Sequence, residues 1–210
     1  MLETLGGDLI NDQRLGDFGV SLDRAARFRQ EGSDIISSLS LGTVASLATQ
    51  TQMAANLLAD GLCRAVTIDS RKDWDTHDTN VQQHGHYEAL FTGLDTLMQS
   101  LQARGILDKT LVCVLSEMTR TPKLNGAAGK DHWGHTSALL LGAGVRGNTL
   151  VGGTDDNLES LPVDYMTGEL DSAGALNKYE NLAAGVLEML DVDPEEWLPG
   201  VEPYRGATAV

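Results

Sequence analysis

Two groups of side chains in this sequence have the composition of a metal site. Asp73, Asp75, His77 and Asp78 crowd one stretch, and Ser116, Glu117, Arg120, Lys130, Asp131, His132 and His135 crowd another. Aspartate, glutamate and histidine together offer hard oxygen and borderline nitrogen donors, the mixture that zinc, manganese or calcium accepts. A divalent ion held there would polarise a phosphoryl or sulfuryl oxygen and activate an attacking oxygen. Arg120 or Lys130 would then neutralise charge developing on a small anionic ester. Spacing alone is a weak signal. Asp-Thr-His and Asp-His arise by chance, and neither is a helix-borne His-Glu-X-X-His pattern.

An ordinary structural role is open to each of these residues. Asp75 can turn its own loop by accepting a backbone N–H. His77 and His132 can be satisfied, partly buried histidines. Glu117 closes an apolar run, where a carboxylate needs a partner, and Arg120 or Lys130 can be that partner in a structural ion pair. Arg120 can equally brace the loop. Ser116 and Thr119 are the hydroxyls at hand, and the sequence shows no base beside either.

The elements around the two groups must bring them together. Leu111 to Leu115 and Ser137 to Leu141 are aliphatic runs without polar alternation, the pattern of central strands covered on both faces. Arg64 to Asp69 reads as a third buried strand, followed by the loop that carries Asp75. About His84 to Arg104 reads as a helix, with Leu90, Leu94, Leu97, Met98 and Leu101 on one stripe and Gly105 as its C′ residue. Strand, helix, strand at this spacing predicts a right-handed parallel crossover. That would set the Asp75 and Glu117 loops side by side at the edge where open α/β sheets hold ligands. The expected fold class is therefore α/β, with a largely parallel sheet flanked by helices, in a single domain over residues 1–210.

The remaining segments serve that frame. Met1 to Gly19 reads as an irregular opening segment, and Ser21 caps a short helix through about Gln30. Ser33 to Leu39 is too short and serine-rich to assign. From Thr43, the positions Val44, Leu47, Ala54, Leu57, Leu58 and Leu62 follow helical spacing. Asn148 to Val151 reads as a short strand, Gly152 to Ala175 as irregular, and about Tyr179 to Leu190 as a last helix packed through Leu182, Val186, Leu187 and Leu190.

Charge narrows the function classes. With 30 acidic and 15 basic residues the chain carries a formal charge of -15, so its surface repels phosphate backbones and anionic lipid. General nucleic-acid binding is not expected. No apolar run approaches the ~18 residues of a membrane span, so membrane insertion is not expected either, and the chain reads as soluble with no targeting signal. Cys63 and Cys113 read as small buried hydrophobes.

Three segments together resemble a known family. They are WDTHDTN at Trp74 to Asn80, LVCVLSEMTRTPKLNGAAGKDHW at Leu111 to Trp133, and SALLLGAGVRGNTLVGGTD at Ser137 to Asp155. In order and spacing they are similar to the bacterial family called domain of unknown function 1501, of the alkaline phosphatase and sulfatase superfamily. The resemblance runs from roughly Thr43 to the C-terminus and implies a parallel sheet whose strand ends hold metal ions through Asp and His. On it, Asp75 and His77 resemble one ligand loop, Glu117 stands where a ligand aspartate usually follows a strand, and His132 resembles the late ligand histidine.

Departures from the pattern matter as much. Met118 stands where many superfamily members have a second histidine, Asp73 with His77 also fits an Asp-X-X-X-His spacing, and His135 is the reserve for His132. Arg71 and Lys72 stand where the pattern has small residues before the Trp-Asp pair. Members are about twice this length, so the chain corresponds to a C-terminal half, without the family's first strand and nucleophile. That expectation carries two functional readings: a metal-dependent hydrolase of phosphate or sulfate esters, or a noncatalytic relative acting through binding or assembly. It also predicts self-association, or a partner supplying the missing part, since an open sheet edge is ordinarily covered. Family members are often exported to the periplasm with a twin-arginine signal, and this sequence has none.

Overall fold

The computed structural model describes residues 9–38 and 46–209. These divide into two compact units, one drawn from Met1–Lys72 and Gly85–Ile106, the other from Asp73–His84 and Leu107–Val210.

The first unit is helical. Helix α1 spans Leu9–Ser38, so helix begins at Leu9 where the sequence reads as irregular, and it runs on past Gln30; residues 1–8 lie outside the described residues. Ser46 caps α2 (Leu47–Ala59) by accepting the Thr49 N–H at 3.2 Å. The expected start of this helix at Thr43 falls outside the described residues. It ends in a Schellman motif: Gly61 lies at φ 66°, Gly61 N–H bonds Leu58 O at 3.1 Å, and Leu62 N–H bonds Leu57 O at 3.0 Å. Leu57 and Leu62 are both buried, supplying the apolar contact that accompanies this motif. Helix α3 (Gln82–Ala103) closes in the same way through Gly105 at φ 68°, with Ile106 N–H on Leu101 O at 3.0 Å, as the sequence predicts. Leu97 and Leu101 from its apolar stripe enter the core of this unit with Ala54 and Ala55.

The expected strand from Arg64 to Asp69 does not form. Gln50 of α2 takes the place of a pairing strand at Asp69. Its side-chain amide accepts the Asp69 N–H at 3.2 Å and donates to the Asp69 carbonyl at 2.9 Å, with no neighbouring strand needed there. Val66 stays well exposed.

The second unit carries the sheets, and they overturn the parallel expectation. Strand β1 (Leu111–Val114) pairs with β4 (Leu139–Gly142) in antiparallel register, Leu111 opposite Gly142 and Val114 opposite Leu139. Strand β2 (Thr119–Arg120) pairs with β3 (His132–Trp133), also antiparallel. Each is a two-stranded sheet. A parallel pair needs a crossover, usually a helix, that returns the chain to the starting end. Residues 115–138 instead turn back through the β2–β3 hairpin, so β4 runs against β1. Nor are these strands covered on both faces, because Cys113 and Leu139 are exposed, as is Leu115 just past the end of β1. The apolar run reflects β propensity without full burial. Asn148 to Val151 forms no strand, and Leu150 is exposed.

Helix α4 (Tyr179–Met189) packs the rest of this unit. Its Ala184 is fully buried, and Asn181 ties it to the C-terminal segment by accepting the Tyr204 N–H on its carbonyl at 2.9 Å and donating its side chain to Glu202 O at 2.8 Å. Arg205 grips Glu188 of the helix in a two-pronged ion pair at 2.7 and 2.6 Å. Val163 and Tyr204 complete the core of this unit.

Candidate metal centre

Two loops of the second unit meet. The Asp75 loop folds tightly, with Thr76 N–H on Trp74 O at 3.0 Å and His77 N–H on Asp75 O at 2.9 Å. These are successive three-residue turns, and they leave the Asp75 and His77 side chains side by side. The buried Thr76 anchors the loop, its hydroxyl accepting from Gln83 Nε2 at 3.0 Å. From the other side, Lys130 N–H bonds Thr76 O at 3.1 Å and Asn125 Nδ2 donates to His77 O at 3.0 Å. The two backbones touch at Gly129, where a Cβ would stand 1.8 Å from His77 O and 2.6 Å from Thr76 O. Only glycine fits that approach.

The β2–β3 hairpin then sets Arg120 and His132 opposite one another across its ladder. Side chains of directly opposed strand residues lie on one face. His132 Nε2 lies 3.0 Å from Asp75 Oδ1, His77 Nε2 lies 3.0 Å from the same oxygen, and the two imidazole nitrogens are 3.1 Å apart. Arg120 joins them. Its Nη2 donates to Asp75 Oδ1, its Nε to Trp74 O at 3.1 Å and its Nη1 to Lys130 O at 3.2 Å. Behind His77, Asp131 Oδ1 stands 3.1 Å from Nδ1 and also accepts from Asn125 Nδ2 at 3.0 Å.

Electrostatics follow from these contacts. The Arg120 hydrogen bond, then that of His132, hold the Asp75 carboxyl down at about 2. Asp131 is also lowered, first by Asn125 and then by His77. Both carboxylates are therefore ionised at neutral pH and can only accept hydrogen bonds. Asp131 Oδ1 faces the Nδ1 side of the His77 ring, and Nε2 of the same ring faces Asp75 Oδ1. Arg120 serves both atoms, donating from Nη2 to Asp75 Oδ1 and setting Nη1 3.4 Å from His77 Nε2, so a guanidinium already stands beside the place a metal ion would take.

The residues present fit a metal ion. Ligand atoms 2.0–2.1 Å from an ion, at tetrahedral to octahedral angles, stand roughly 2.9–3.4 Å apart. The three observed separations of 3.0, 3.0 and 3.1 Å fall within that range. Two imidazoles and one carboxylate suit zinc or manganese better than calcium, which prefers six to eight oxygens. The side chains are 58%, 39% and 53% exposed for Asp75, His77 and His132, so solvent reaches the cluster.

Of the residues singled out in the sequence, Asp75, His77, His132 and Arg120 come together, and Glu117 does not. Glu117 is exposed and accepts from the adjacent Ser116 hydroxyl at 3.4 Å, while the Arg120 guanidinium goes to Asp75 instead. Lys130 enters through its main chain. Asp73 caps its own loop by accepting the Asp75 N–H at 3.1 Å, which leaves Asp75 as the carboxylate of the cluster. His135 lies elsewhere, its Nδ1 accepting the Ser160 N–H at 3.1 Å. Residue type and spacing alone give no role to Asp131 or Asn125, which the structure places behind His77. The direct adjacency of Asp131 to His132 was the available signal for the first, and nothing short of the fold marks the second.

Over residues 14–199 the chain matches the family described as "Protein of unknown function (DUF1501)". The chain belongs to that family. No curated protein and no solved structure matches it. In this DUF1501 member the matched span takes in both loops of the cluster and all four strands. Among the described residues no helix is long and apolar enough to cross a membrane.

Proposed function

We propose that Asp75, His77 and His132 hold a divalent transition metal, zinc foremost, in a site that hydrolyses small phosphate or sulfate esters. The single observation behind this reading is the convergence of three ligand atoms at 3.0–3.1 Å from two loops far apart in sequence. The motif order that resembles the alkaline phosphatase and sulfatase superfamily supplies the reaction class. It supports kinship of the site only, because the sheets are antiparallel.

When bound, the ion would supply Lewis acidity toward a phosphoryl or sulfuryl oxygen. The chain's own residues set the stage for it. Arg120, fixed by two carbonyls and Asp75, places a permanent cation beside the cluster, where an anionic ester gains from it. Lys130 is the second cation of the proposal. The attacking oxygen comes from water.

A purification without chelator, followed by metal analysis and assays on an aryl phosphate and an aryl sulfate, tests this. Metal-dependent turnover, lost in both Asp75→Ala and His132→Ala, is the expected outcome. Absence of both bound metal and turnover would sink it.

Two observations favour a second reading, a noncatalytic subunit that acts by binding or assembly. Arg120 is heavily committed to internal partners, as a brace would be. Leu139 of β4 and Leu115, just past the end of β1, are also exposed, surface that a second copy or a partner chain would cover. On that reading the chain self-associates or binds its partner while turning over neither ester.

A further inference from the structure

We infer that Asp131 is the positioning residue of this cluster, the carboxylate that keeps the proton of His77 on Nδ1 and its Nε2 lone pair turned toward Asp75 and His132. The inference rests on the metal-site reading for its purpose and, for its content, on which carboxylate can take the ring proton: Asp75 Oδ1, 3.0 Å from Nε2, already accepts from Arg120, whose Nη1 also stands 3.4 Å from Nε2 as a donor, whereas Asp131 Oδ1 faces Nδ1. Asp131 Oδ1 lies 3.1 Å from His77 Nδ1, on the side of the ring away from the other two ligands. An ionised carboxylate has no proton to give, so this contact is a hydrogen bond only when Nδ1 carries one.

The carboxylate is itself held in place. Asn125 Nδ2 donates to Asp131 Oδ1 at 3.0 Å and to His77 O at 3.0 Å, so one amide ties the orienting group to the backbone of the residue it orients. The amide oxygen of Asn125 is fixed in turn by the N–H groups of Ala127 at 2.9 Å and Gly129 at 3.1 Å. The Asp131 N–H is taken by the Thr121 hydroxyl at 3.1 Å, and its carbonyl accepts the Thr121 N–H at 2.9 Å. Lone pairs that bind a metal are usually aimed this way, by a carboxylate or carbonyl on the far ring nitrogen.

His132 holds its place differently. It sits on a strand, opposite Arg120, and the ladder fixes its direction. His77 sits on a turn, where the ring has no such guide, and the carboxylate supplies one.

The tautomer of His77 decides the matter without any ion. In metal-free protein, at a pH where the ring nitrogen shifts report the neutral imidazole, long-range proton–nitrogen correlation should show His77 protonated on Nδ1 and bare on Nε2. In Asp131→Ala the ring should shift toward the Nε2-protonated form that free histidine prefers. Asp131→Asn, which keeps an acceptor oxygen and nearly the same shape, should retain most of the Nδ1 form and guards against a misfolded alanine variant. Zinc titration should show binding weakened about 10–100-fold in Asp131→Ala and less in Asp131→Asn. A wild-type His77 protonated on Nε2, or a tautomer unchanged in Asp131→Ala, would overturn the inference even if zinc binds. The expected tautomer together with no zinc binding would leave Asp131 as the orienting residue and remove the metal reading instead.

Discussion

Gly129→Ala is the sharpest test of how the two loops are joined. The added methyl would lie 1.8 Å from His77 O and 2.1 Å from His77 C, both main-chain atoms that no side-chain rotation can clear. Carbon–oxygen contacts tolerate about 3.3 Å, so the loops must part by roughly 1.5 Å. That motion stretches Lys130 N–H to Thr76 O, now 3.1 Å, and Asn125 Nδ2 to His77 O, now 3.0 Å. Overpacking of this kind costs about 1–3 kcal/mol, and each weakened hydrogen bond about 0.5–1.5 kcal/mol. A loss of about 2–4 kcal/mol is expected, partly relieved by local opening. At ~4 °C per kcal/mol for a unit of this size, the melting temperature falls by roughly 8–16 °C. All three tryptophans, Trp74, Trp133 and Trp197, lie in the unit that contains this joint, so their fluorescence reports its unfolding. Gly126→Ala, in the same loop with nothing within 4 Å of the new methyl, is the control and should move the melting temperature little. If the two variants melt together, the close approach at Gly129 is not what holds the loops.

Other consequences are simpler to state. Ser46→Ala removes the cap on the Thr49 N–H and should destabilise the helical unit by about 1 kcal/mol, measurable as a lower urea midpoint by far-ultraviolet circular dichroism. Because the folded-state pKa of Asp75 is depressed from 3.8 to about 2, its contribution to stability is complete above 3.8 and is lost as pH falls through about 2. Acid titration of tryptophan fluorescence should show the joint opening in that window, and Asp75→Asn should remove most of that dependence on pH. Asp164, whose carboxyl is lowered by the Thr167 backbone and hydroxyl and the Met166 N–H, loses its contribution at low pH in the same sense, so Asp164→Asn should flatten the acid limb of the melting curve.

How much of this the sequence made legible depends on whether a signal was local. The Schellman ends at Gly61 and Gly105 and the stripe of α3 require only their own few residues, and Gly105 was readable as a C′ glycine. Sheet direction is not local. Leu111 to Leu115 carries the same aliphatic run whether its neighbour is parallel or antiparallel, and the hairpin that reverses the chain is only four paired residues. RAVTID failed as a strand because the Gln50 side chain, far off in sequence, took the pairing groups of Asp69. At the cluster, residue type singles out Asp75, His77, His132 and Arg120, which the structure brings together. It could not separate them from Glu117, because the choice was made by where one guanidinium turned.

Zinc titration of the metal-free protein by calorimetry tests the proposed site most directly. One zinc ion per chain should bind, and binding should weaken at least 100-fold in both Asp75→Ala and His132→Ala, with each variant still folded by tryptophan fluorescence. No saturable binding, or binding that neither substitution disturbs, would mean that Asp75, His77 and His132 are only a hydrogen-bonded joint between two loops.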